Sequence, residues 1–145
     1  MASFSRHVTV DWAGSVTEGK GQAQAGTGAF SLDVTFPRRI GEPEGSTSPE
    51  ELIAAAHSTC YAMALNATVG GKGGAIGRTH VTATVTAEFD KGITIQSSNL
   101  TVVAEGLSGI EAAEFQAVAE EAEGKCPVSN ALRGSLSISV EASVK

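Results

Sequence analysis

One segment restricts the possible folds of this chain more than any other. Residues 46–69 read STSPEELIAAAHSTCYAMALNATV. Ser48 is placed to cap a helix, Pro49 fills the first helical position and a carboxylate stands at the third, the pattern of a capping box. The helix can then continue to about Val69, where GGKGG must end it. Leu, Ile, Ala, Met and other small residues occupy nearly every side of it. A helix that is apolar all round is buried all round. At 1.5 Å per residue it is about 30 Å long, and one small domain has limited means of surrounding such a rod. A second subunit would supply the missing walls, so an obligate homodimer is expected.

The flanking sequence supplies strands. HVTVDW and AFSLDVTF alternate apolar and polar residues, as half-buried strands do, and GKGQAQAGTG between them reads as a hairpin connection. RTHVTATVTAEF and GITIQSSNLTVVAE are long β-branched runs joined by DKG, a second hairpin, and SLSISVEASV is a further strand. A second helix is predicted over residues 110–123 with Gly124 as terminator, and a short third one from CPVSNAL, with Cys126 as its cap. No repeat or long linker divides the chain. The expectation is one domain over residues 1–145, of α+β class, with mainly antiparallel sheets wrapped around a long buried central helix.

Composition excludes several roles. The net charge of −6 disfavours nucleic acid or an anionic membrane as partner, because a phosphate-binding face needs clustered Lys and Arg. No run approaches the roughly 18 apolar residues of a membrane span. The start MASFSRHVTV lacks the apolar stretch of a secretory leader. Two cysteines in such a chain fit a cytoplasmic location, where a cysteine pair is more often catalytic or metal-binding than structural.

Cys60 and Cys126 stand 66 positions apart, and with His7, His57 and His80 scattered they form no usual zinc-ligand spacing. Neither a metal nor a cofactor is expected. Two unrelated core cysteines are one reading. His57, three residues before Cys60 on one helix, could pair with it for acyl transfer, although no oxyanion-hole motif accompanies it. A helix histidine among alanines is more often a core residue with a satisfied ring nitrogen. Cys126, at a helix start beside Lys125, is the more exposed thiol in this reading and the one whose thiolate a helix dipole would favour. Cys60, mid-helix among apolar groups, should titrate high unless a cation is brought to it. Arg38 and Arg39 are the nearest candidates.

TSPEELIAAAHSTCYAMAL followed by KCPVSNAL resembles the osmotically inducible protein C family, relatives of the organic hydroperoxide resistance proteins. The likeness covers essentially the whole chain, and AAAH before Cys60 is closer to the osmotically inducible branch. It implies an intertwined homodimer with thiol peroxidase activity and sites at the interface. Cys60 would be the peroxidatic thiol, Cys126 the resolving one, and Glu50 the helix glutamate that orients an arginine. Arg39 is our choice for that arginine, with Arg38 open, because two arginines are adjacent and the loop is one residue longer than usual.

The resemblance also implies an organic hydroperoxide as substrate and a dithiol, such as a lipoyl-bearing protein, as reductant. The residue types suit that chemistry: a thiolate attacks an O–O bond, an always-charged guanidinium stabilises it, and a carboxylate aims the guanidinium. Phe36, Ile40 and Met63 are the candidate apolar wall. Ten residues on a helix are about 15 Å of rise, so Glu50 would serve Cys60 only through an intermediary or in the other subunit's site. Rival readings are a redox sensor or structural dimer whose thiols oxidise without turnover, and a Cys60–His57 acyl hydrolase.

Overall fold

A computed structural model describes residues 2–145 and divides them into two compact units, one ending at Leu52 and the other spanning Ile53–Lys145. The class is α+β, built on two three-stranded sheets.

The first unit is an antiparallel meander of β1 (Val8–Ala13), β2 (Lys20–Ala25) and β3 (Ser31–Val34), followed by the short helix α1 (Phe36–Ile40). The stretch expected as a hairpin connection is therefore the middle strand. Its small residues are the reason. Gly21 pairs with Trp12 across the sheet, and a Cβ on Gly21 would stand 2.6 Å from the indole Cε3, so the bare backbone makes room for the ring. Ala23 is buried, whereas the lysine and glutamines of β2 alternate outward. The third strand ends before Phe36, earlier than its alternation suggests. Thr35 caps α1, its hydroxyl accepting from the Arg38 N–H at 3.2 Å, and Pro37 sits in the first turn with φ already helical. On β1 the apolar residues Val8, Val10 and Trp12 remain exposed.

Helix α2 (Pro49–Gly71) begins where its capping residues place it, with Ser48 Oγ accepting from the Glu51 N–H at 3.1 Å. The carboxylate of Glu51 takes its hydrogen bond from the Thr47 hydroxyl at 2.7 Å. Along the second unit α2 buries His57, Tyr61, Leu65, Thr68 and Val69, a stripe at three- and four-residue spacing. Met63 is 69% exposed in the single chain, so one chain covers one side of this helix only.

The second sheet has the order β4 (Arg78–Phe89), β5 (Ile93–Glu105), β6 (Ser137–Val144). β4 and β5 form the expected hairpin, closed by the Asp90 N–H donating to the Gly92 carbonyl at 3.0 Å. β6 runs parallel to β5, a departure from the antiparallel rule that follows from the connection between them. That connection is a 3₁₀ turn (Ala112–Glu114), α3 (Phe115–Lys125) and α4 (Pro127–Leu132), and a crossover of this length returns a strand parallel. Leu100, Val102 and Ala104 of β5 pack with Tyr61, Leu65 and Val69 of α2 and with Phe115, Val118, Ala119 and Ala122 of α3. The Tyr61 hydroxyl donates to the Ala119 carbonyl at 2.7 Å, which pins the two helices at mid-length.

Helix α3 starts later than residue 110, because Ser108 is still bridged to Ala75 in extended pairing. It also runs through Gly124 rather than stopping there. Pro127 ends it: the residue before a proline is forced from helical into extended geometry, and Cys126 lies at φ −77°, ψ 116°. Cys126 thereby closes α3 and caps α4 at once.

Candidate functional site

The predicted arginine–glutamate pair forms within the first unit. Arg39 reaches Glu50 with Nε 3.0 Å and 3.1 Å from the two carboxylate oxygens and Nη2 2.7 Å from Oε1. The side chains are 25% and 15% exposed, so solvent screens this pair less than a surface one. Burial alone would raise the Glu50 carboxyl, but the Arg39 hydrogen bonds and charge, with local backbone and Ser48 contacts, hold it below the ordinary glutamate range. Arg38 has other partners: Glu44 at 3.3 Å and Ser46 Oγ at 3.2 Å. Successive helix residues point about 100° apart, and these two arginines consequently face different clefts. Arg38 lines a polar one with Asp11, Lys20 and Asp33. Arg39 borders an apolar one of about 410 Å³ walled by Val10, Trp12, Val34, Phe36 and Leu52. Ile40, expected to add to an apolar wall, is 47% exposed.

Within the second unit the two thiols come together. Cys60, half-buried on α2, packs against the core cluster that contains Cys126. Both cysteines are free. Burial pushes the Cys60 thiol up; the Val128 N–H draws it back and the neighbouring Cys126 adds to the rise. The exposure of the two is the reverse of the expectation, for Cys126 is fully buried within the core and Cys60 is the more accessible. Cys126 sits where α3 turns into α4, with its sulfur accepting from the Ser129 N–H at 3.5 Å. Lys125, expected to favour its thiolate, instead donates to Glu121 at 2.8 Å.

His57 is fully buried and has both ring nitrogens satisfied. Nδ1 lies 2.6 Å from Ser98 Oγ and Nε2 2.7 Å from Ser129 Oγ. Burial pushes its pKa below the ordinary histidine value, with Glu123 opposing. These contacts occupy the nitrogens that a Cys60–His57 couple would need. Ser98 and Ser129 escaped the sequence reading. A signal existed for the first: Ser98 shares the inward-facing register of Leu100, Val102 and Ala104 on β5, where a polar residue must find a partner.

Among the described residues no helix is long and apolar enough to cross a membrane.

The chain is 33% identical over 129 residues to peroxiredoxin OsmC of Escherichia coli, covering 88% of this chain and 89% of that protein. It is 31% identical over 114 residues to the organic hydroperoxide resistance protein OhrA of Bacillus subtilis, covering 77% and 79%. The crystal structure of an organic hydroperoxide resistance protein from Elizabethkingia anophelis superposes with a TM-score of 0.77 at 26% identity, over 100% of both chains. Residues 41–141 match the family described as OsmC-like protein, and to that family this chain belongs.

Proposed function

We propose that the protein is a cysteine-based peroxidase that reduces organic hydroperoxides to alcohols in defence against oxidative or osmotic stress. The observation that carries the reading is the meeting of Cys60 and Cys126 in one packed cluster, two thiols distant in sequence, one partly accessible and one sealed in the core. In this reading the Cys60 thiolate attacks the terminal oxygen of ROOH, the O–O bond breaks and ROH leaves after taking a proton. Cys60 becomes a sulfenic acid. The Cys126 thiol then condenses with it, forming the disulfide and releasing water. A dithiol, in the cell a lipoyl-bearing protein or similar donor, returns both thiols by exchange.

A thiol whose pKa is raised by burial needs a cation to react at neutral pH. We assign that role to Arg39, with Glu50 as the carboxylate that aims it. The apolar cleft beside Arg39 supports an alkyl or aryl hydroperoxide in preference to hydrogen peroxide. A homodimer belongs to the proposal. Val8, Val10, Val16 and Met63 are all more than half exposed in the single chain, and a second copy would cover them. In this reading residues 1–145 act as one OsmC-like domain in the cytoplasm.

Consumption of cumene hydroperoxide with dihydrolipoamide as electron donor tests the proposal. Repeated turnover supports a peroxidase. Oxidation of the thiols without turnover would leave a redox sensor in its place.

A further inference from the structure

His57 has no step in the peroxidase chemistry, yet it is fully buried with both ring nitrogens hydrogen-bonded. Its two serine partners lie on different elements. Ser98 belongs to β5, at the centre of the sheet, and Ser129 to the first turn of α4. That turn bears on both sulfurs. The Ser129 N–H donates to Cys126, the cap of α4, and the Val128 backbone N–H favours the Cys60 thiolate. Helix α4 has only six residues, too few to hold a fixed geometry by helix propensity alone. Its placement must come from tethers, and the imidazole bridge from the sheet to Ser129 Oγ is a fully buried one.

We propose that His57 is a positioning residue for the resolving thiol, holding the first turn of α4 through Ser129 so that Cys126 is aligned with Cys60. This rests on the two-thiol reading above. The step it serves is Cys60–SOH plus Cys126–SH going to the disulfide plus water. The Cys126 sulfur, which accepts from the Ser129 N–H, must line up with the Cys60 sulfenic acid, and a displaced turn would misalign the attack. Burial favours the neutral imidazole, and the Glu123 carboxylate opposes it. A neutral ring has one donor and one acceptor, so one serine donates to it and the other accepts from it. Both serines are thereby fixed in rotamer.

Ellman's reagent tests the alignment without any peroxide. Cys60 attacks the reagent and releases one thionitrobenzoate; Cys126 then attacks the Cys60 mixed disulfide and releases a second. Ser129→Ala and His57→Phe are expected to slow the second phase about tenfold or more, well beyond any change in the first, as a small misplacement of reacting groups does. The pair of changes together should cost no more than either alone. Ser129→Thr, which keeps the hydroxyl, should restore the second phase. A wild-type second phase in both Ser129→Ala and His57→Phe overturns the proposal, and so does a Ser129→Thr protein as slow as Ser129→Ala. Failure of the protein to turn over cumene hydroperoxide would remove the peroxidase reading while leaving these two phases to be read on their own.

Discussion

Arg39 grips Glu50 from the side, with Nε and Nη2 both within 3.0 Å of a single carboxylate oxygen, while Arg38 turns away to Glu44 and Ser46. Two neighbours of equal charge are thus unequal in role. A guanidinium held at two of its nitrogens by a partly buried carboxylate is fixed in plane and direction, whereas an exposed arginine on a loop glutamate is not.

If Arg39 is the cation that serves Cys60, Arg39→Ala should raise the apparent pKa of Cys60 and slow peroxide reduction by about 10²-fold, the usual cost of removing a preorganised charge donor. Glu50→Ala should do the same more weakly, about tenfold, because losing a charge-assisted hydrogen bond loosens the aim without removing the charge. The double variant should match Arg39→Ala, since Glu50 then has nothing to orient. Arg38→Ala should stay near wild type. Thiol-alkylation rates against pH decide the matter; additive losses, or a larger effect at Arg38, would sink the assignment.

The two thiols should fail differently. Cys60→Ser is expected to abolish hydroperoxide consumption. Cys126→Ser should consume about one equivalent per chain and stall, with mass spectrometry finding Cys60 as sulfenic or over-oxidised acid. An untouched Cys60 in peroxide-treated Cys126→Ser would reverse the two assignments.

Local signals account for what the sequence reveals of this fold. The serine and proline before α2, the β-branched runs of β4 and β5, and the Cys-Pro step into α4 each act within a few residues, and each stands where the pattern places it. The losses are long-range. Gly21 and Ala23 lack strand propensity and become a central strand because Trp12 of the neighbouring strand covers Gly21. Cys126 looks like an exposed cap until α2 and α3 close over it. The choice between Arg38 and Arg39 turns on a hydrogen bond eleven residues away, which no reading of RR alone contains. The serine–histidine–serine bridge joins His57 to serines 41 and 72 positions further along the chain and leaves only one faint trace, a polar residue in an inward register.

Association should be tight. Val8, Val10 and Trp12 on one strand and Met63 on α2 are exposed in the single chain, and the proposed second copy would cover them. Sedimentation of dilute protein should show a dimer throughout, and Met63→Glu should weaken it by about 3 kcal/mol or more if the side chain enters a desolvated contact. A folded monomer at low concentration, or a Met63→Glu dimer as tight as wild type, would contradict this.

Stability should fall as the pH drops below neutral, and His57 should account for the first part of the loss. Its pKa in the folded protein is below the ordinary histidine value of 6.5, principally because burial disfavours the imidazolium. Above 6.5 both folded and unfolded states hold the ring neutral, so His57 contributes no pH dependence there. As the pH falls through 6.5 the unfolded chain takes up a proton that the folded chain refuses, and the equilibrium shifts toward unfolding. The loss continues until the pH reaches the folded-state value. Glu50 acts later and by a different route. Its folded pKa is below 4.5, where Arg39 overcomes the effect of burial, so its contribution is present above 4.5 and is lost as the pH falls through the folded value. Urea unfolding midpoints between pH 7.5 and 3.5 should therefore decline in two stages. His57→Gln should flatten the first stage and leave the second, while Glu50→Gln should do the opposite. A wild-type midpoint that holds constant from pH 7 to 5 would mean that the ring is protonated in the folded state, with one serine–imidazole bond reversed in direction.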